Sequence, residues 1–142
     1  MSTECERLVT IYDCLSQDPD ILEAMGLTGE LDQLIQTRIC KSKQFGNVTD
    51  DNPRIAIWEG TPRPQNEKVN THRLNLDIVV PLESQRSRGL ALAIADLIKV
   101  CKALKSASMG TGLHYVTTKP DQQTAIGWYK ATVVYTYNYI EK

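Results

Sequence analysis

The sequence predicts an α+β domain, a mostly antiparallel sheet of about four strands with N-terminal helices and one main helix packed on one face. Three observations lead there. Leu8, Ile11, Tyr12 and Leu15 recur at i, i+3, i+4, i+7, the spacing of an amphipathic helix. Leu74, Leu76, Ile78 and Val80 alternate, as do Tyr135, Tyr137 and Tyr139, which is the period of a strand with one face covered. Between those two strands lies a second helical repeat, Leu90, Ile94, Leu97, Cys101 and Leu104. At 142 residues the chain reads as one domain, long enough to bury roughly 70% of its unfolded surface.

In chain order, residues 3–16 read as the first helix, and residues 1–27 as an N-terminal helical segment. Asp18-Pro19 supplies an N-cap and a proline at the first helical position, so a second short helix runs to Met25 before Gly26. Leu31, Leu34 and Ile35 suggest one more turn, and Arg38–Lys43 has weak strand character. Arg54–Glu59 (RIAIWE) is a short apolar strand. Gly60–Asn70 holds Pro62 and Pro64 and no periodicity, which marks a long loop or a projecting hairpin arm. His72–Glu83 is the clearest strand, and the main helix runs from the turn at Ser84–Ser87 to about Leu104. Leu113–Thr118 is a strand, Lys119–Thr124 a turn, and Ile126–Ile140 the closing strand.

Composition excludes little, but its distribution is informative. The net charge of −1 offers no overall attraction to nucleic acid or to an anionic membrane. Residues 1–36 nevertheless hold eight acids against Arg7 alone, a net of −7, while the rest holds fifteen bases against nine acids, a net of +6. Such a split is either neutralised inside one fold or steers one copy's acidic end to another copy's basic surface. Cys5, Cys14, Cys40 and Cys101 form no C-x-x-C pair and read as isolated buried thiols of a reducing cytosol. No signal-peptide core follows Met1, and no apolar run reaches the ~20 residues of a membrane helix.

No catalytic constellation emerges, so the chain reads as no enzyme, with no cofactor and no metal site. His72 and His114 each start a strand, away from any nucleophile context, and read as surface histidines. Gly110-Thr111-Gly112 lacks the rest of a phosphate loop, and Asp50-Asp51 lacks companion carboxylates for a cation. The basic stretches Arg38–Lys43 and Arg86–Arg88 have no interleaved aromatics. The closing strand puts Tyr129, Ala131, Val133, Tyr135, Tyr137 and Tyr139 on one face. Its first half belongs against the main helix. Its tyrosine-rich end belongs either to the same core or to a subunit interface, where tyrosine is enriched.

The short strand RIAIWEG, the proline-containing arm, the strand RLNLDIVVPLES, the helix SRGLALAIADLIKVCKAL and the closing strand YKATVVYTYNY together resemble the tail terminator, or tail completion, proteins of long-tailed bacteriophages. The resemblance lies in the order of elements over most of residues 1–140, and residues 27–52 depart from it by being longer and more polar. It implies a non-enzymatic hexameric ring that caps the tail tube, stops its polymerisation and meets a head-side connector or stopper protein. It also implies a virion location at the head–tail junction, assembly in the host cytoplasm, and DNA only as cargo through the lumen. On that basis Pro62, Arg63, Pro64, Gln65 and Asn66 of the arm, Arg86 and Arg88, and Tyr135, Tyr137 and Tyr139 are the candidate interface residues. The alternatives are another neck or tail-tube protein, or a small cytoplasmic module that binds a peptide or nucleic acid.

Overall fold

A computed structural model of the chain describes residues 4–41, 53–60, 63–64, 69–81, 85–107, 112–123 and 128–140. Its elements are α1 (Glu4–Ser16), α2 (Pro19–Ala24), α3 (Asp32–Arg38), β1 (Ile39–Cys40), β2 (Arg54–Glu59), β3 (Arg63–Pro64), β4 (Val69–Pro81), α4 (Gln85–Lys99), α5 (Lys102–Lys105), β5 (His114–Gln123) and β6 (Trp128–Ile140). The fold is α+β. Its sheet runs β1-β2-β4-β6-β5, with β3 paired onto β4. Among the described strands, only the β1–β2 pair is parallel. The four long strands match the expected number, and two two-residue strands extend the sheet.

β4 and β6 form the spine. They pair over thirteen residues without a shift, from Val69↔Ile140 to Pro81↔Trp128. That register lines up Leu74, Leu76, Ile78 and Val80 with Tyr135, Val133, Ala131 and Tyr129, and β2 adds Ile55 and Ile57 to the same face. All ten are buried. α4 lies across β4 and β6, whereas α1 packs on β1 and β2. The buried side of α4 is Ala91, Ile94, Ala95 and Ile98, with Leu90 and Leu97 only partly covered. It is turned by about one residue from the stripe read in the sequence. The two alanines explain the difference, because small side chains let the helix settle closer to the sheet.

Local chemistry sets the helix ends. Asp18 accepts from the backbone N–H of Asp20 and Ile21, capping α2, with Pro19 at its first position. Gly26 follows at φ +73 and closes the helix, with Leu27 N–H donating to Leu22 O. A residue bearing Cβ is disfavoured there. The single helix expected up to Leu104 is broken: α4 ends at Lys99, and Cys101 takes an extended backbone before α5. Two side-chain contacts then tie α1 down. Arg7 donates to both carboxylate oxygens of Glu59 on β2, at 2.7 and 3.1 Å, with both side chains nearly buried. The Tyr12 hydroxyl donates to Asp32 Oδ1 at 2.6 Å, and Lys41 Nζ lies 4.3 Å over the same ring. The Tyr12 and Gln36 hydrogen bonds hold the Asp32 carboxyl below its usual range.

Other boundaries moved. β4 begins at Val69, not His72, because β3 and β6 offer it partners on both sides. The expected turn at Lys119–Thr124 is instead β5 through Gln123, bulged between Tyr115 and Thr117 and again between Lys119 and Gln122. Pro120 sits in the second bulge, where a missing N–H costs no ladder bond. Ser84, Asp50, Asp51, Gly110 and Thr111 lie outside the described residues.

The Arg7–Glu59 pair gives a stability test. Removing one partner of a buried ion pair strands the other, at about 3–5 kcal/mol. Arg7→Leu should therefore destabilise the chain by that amount in urea titration. Arg7→Leu combined with Glu59→Leu should cost less than Arg7→Leu alone.

Candidate assembly interface

The closing strand answers its question largely in favour of the core. Tyr137 is wholly buried by its own chain and Tyr135 is 7% exposed, both within the main hydrophobic cluster. Offering either ring to a neighbouring subunit is corrected accordingly: the continuous register seats Tyr135 opposite Leu74 and Tyr137 opposite His72. His72 is buried, not a surface histidine, and its imidazole stacks on Tyr137 with centroids 5.1 Å apart. His114 is exposed and pairs with Thr136, so it lies on the other face of the sheet from His72. Tyr139 is paired in β6 opposite Asn70, and its side chain lies outside what is described.

The remaining candidates divide. Arg63 and Pro64 form β3 and pair with Thr71 and Asn70, so this part of the arm is a strand laid back on β4. Gly60 N–H donates to Arg73 O and continues the same hairpin. Pro62, Gln65 and Asn66 lie outside the described residues. Arg86 and Arg88 belong to the first turns of α4, their side chains likewise undescribed. On the helix side, His72↔Tyr137 is the last pair whose side chains are both described, and both are buried. The β4–β6 ribbon continues three pairs beyond it, to Val69↔Ile140, or roughly 10 Å at ~3.3 Å per residue.

The face of the sheet turned from α4 mixes buried Ala56, Val79 and Val134 with polar side chains, among them a buried carboxylate. Asp77 Oδ2 accepts from the Trp58 indole N–H at 2.7 Å, and Oδ1 accepts from the Thr132 hydroxyl at 2.7 Å. Three strands are thereby joined through a side chain that is 4% exposed. Sequence reasoning missed this cluster. Its only trace was Asp77 on the polar side of an otherwise apolar strand.

The surface itself carries two other features. Val100, Tyr115 and Val116 are exposed apolar residues, Lys99 Nζ lying 4.9 Å over the Tyr115 ring, while Leu31 is 75% exposed beside Glu30. Among the described residues, no ion pair engages Asp13, Asp20, Glu23 or Glu30. Asp32 of the same segment, by contrast, feels the charge of Lys41. Tyr115 carried no alternation signal, because the bulge at Val116 breaks the period of β5.

Burial pushes up the thiols of Cys14, Cys40 and Cys101, which disfavours the nucleophilic thiolate. Cys101 is the buried one, and Cys5 is exposed, contrary to the reading of four buried thiols. Among the described residues there is no group of three or more metal-ligating side chains, and no helix is long and apolar enough to cross a membrane. Compared with models of protein families and with curated proteins, the sequence matches none.

Two outcomes follow from the tyrosine environments. Tyr137→Ala should cost about 3–5 kcal/mol in chemical denaturation, as for other buried aromatic truncations. Tyr115→Ala should cost no more than about 1.5 kcal/mol, since that ring is half-exposed and packs edge-on to Tyr135. Burial, with smaller contributions from Cys101 and Tyr115, raises the Tyr135 hydroxyl from 10.0 to about 12. The folded state thus keeps a proton that the unfolded chain releases near pH 10. Its contribution to stability is intact below pH 10 and declines as pH rises toward 12. Tyr135→Phe should flatten that alkaline decline in urea titrations at stepped pH.

Proposed function

We propose that this chain is a structural virion subunit of a long-tailed bacteriophage, a tail terminator. It forms a ring on the end of the tail tube, halts its polymerisation and joins it to the head-side connector. The observation that carries the reading is the β4–β6 ribbon with β3 laid on it, paired over thirteen residues without a shift, three of them past His72↔Tyr137. Such a stiff paired ribbon gives a ring subunit an element with which to reach a neighbour. The element order resembling tail terminators and the acidic-to-basic split of the sequence support the same reading. Head-to-tail contacts join unlike surfaces, and a fixed rotation per subunit closes them into a ring.

The mechanism is geometric. Seating the ring on the last tube layer buries the surface on which the next layer would add. Its direct test is electron microscopy of purified tail-tube protein polymerising with and without this chain. Sub-stoichiometric amounts should shorten the tubes and leave a ring on one end. Tubes that grow to the same length in saturating amounts of the chain would sink the reading. Binding to a portal or connector without any effect on tubes would favour another neck protein instead.

A further inference from the structure

Cys14 and Cys101 stand eighty-seven residues apart in the sequence, yet the fold brings them to one seam. Cys14 lies near the end of α1, and Cys101 takes an extended backbone just before α5. Each thiol donates to a backbone carbonyl of the other's segment, Cys101 Sγ to Cys14 O at 3.8 Å and Cys14 Sγ to Ala103 O at 3.5 Å. A carbonyl oxygen lies about 2.4 Å from its own Cα, which puts Cys101 Sγ no more than roughly 6.2 Å from Cys14 Cα. The other two cysteines stand elsewhere. Cys5 is about 13.5 Å along α1 from Cys14, and Cys40 Sγ donates within its own segment, to Gln36 O and Thr37 O. Exposure also differs across the pair. Cys14 is partly exposed at the rim of the core, whereas Cys101 is buried within it.

We infer that Cys14 and Cys101 are an oxidisable dithiol, a modification site at which a small-molecule disulfide installs a bridge between α1 and the start of α5. The outer Cys14 thiolate attacks one sulfur of the reagent, expels the first thiolate and holds the rest as a mixed disulfide. The inner Cys101 thiolate then attacks the Cys14 sulfur, forms the protein's S–S bond and expels the second thiolate. The protein gives up two electrons and two protons, and the reagent, reduced, departs as two thiols. Burial raises both thiols above their ordinary range, so thiolate is scarce at neutral pH and the exchange is slow. Arg7 already holds α1 to Glu59, and the bridge fixes the far end of the same helix. Its closed loop is long, the case in which a cross-link removes most entropy from the unfolded chain. The inference concerns a single copy and does not rest on the ring reading.

The test uses the full chain carrying Cys5→Ser and Cys40→Ser, so that the pair alone can react. Folded protein is incubated with oxidised glutathione, quenched with acid, alkylated in denaturant and weighed. The expected product has lost the mass of two hydrogens, takes up no alkylating agent and yields a proteolytic fragment joining Cys14 to Cys101. Its unfolding constant in urea should be about thirtyfold lower or less, and reductant should restore the original value. Adding Cys101→Ser should halt the reaction at a glutathione adduct on Cys14, and adding Cys14→Ser should leave the buried Cys101 unmodified. Should the double-serine chain fail to fold, peptide mapping of the oxidised wild type gives the same readout. A glutathione adduct that persists on Cys14 while Cys101 is present overturns the inference. So do two thiols that stay free after prolonged incubation, a bridge that forms only in urea, and a bridge that weakens the fold.

Discussion

The unshifted thirteen-residue register between β4 and β6 is the constraint on which the rest of the structure depends. A slip of one residue would turn Leu74, Leu76 and Ile78 away from α4 and bring Asp77 beneath it. Two kinds of interaction oppose that slip from opposite faces. On one, apolar side chains and tyrosines meet α4. On the other, Asp77 receives Trp58 from β2 and Thr132 from β6, a geometry available only when Ala56, Asp77 and Thr132 stand in one row. A buried carboxylate is costly unless its oxygens are satisfied, so here it acts as a register pin as much as a source of stability.

The helices follow from this spine. α4 can lie close to the sheet because Ala91 and Ala95 face it, and α1 is held on the same face, at the β1–β2 end, by Arg7 on Glu59. That second contact has an electrostatic consequence. Arg7 is the only base among the first 36 residues, and it is spent on a carboxylate of β2. Asp13, Asp20 and Glu23 have no ion pair among the described residues, whereas Asp32 feels the charge of Lys41.

Much of this was legible in the sequence, and the reasons are physical. Period-2 alternation located β4 and β6, because each has one face wholly apolar or aromatic, and Asp18-Pro19 located the start of α2 by capping chemistry alone. What escaped were features that depend on partners distant in sequence. β3 is recognisable only beside Thr71 and Asn70, and two residues carry no period of their own. β5 lost its signal to bulges at Val116 and around Pro120. The break at Val100–Cys101 hid inside a continuous helical stripe, since Cys101 and Leu104 are buried on both sides of the interpretation. The candidate site fared unevenly for the same reason. Exposed tyrosine and core tyrosine have identical alternation, and only the cover over the strand separates them.

Where two copies could meet is further limited by the sheet's edges. An open edge strand invites pairing with another chain. Here one edge is β1, two residues long, and the other is β5, which is twice bulged and carries Lys119 and Pro120. Neither presents the long, regular row of backbone donors and acceptors that strand addition requires. The bulges and the shortness of the edges thus guard against indiscriminate strand addition, while the long paired spine of β4 and β6 stays protected inside the sheet.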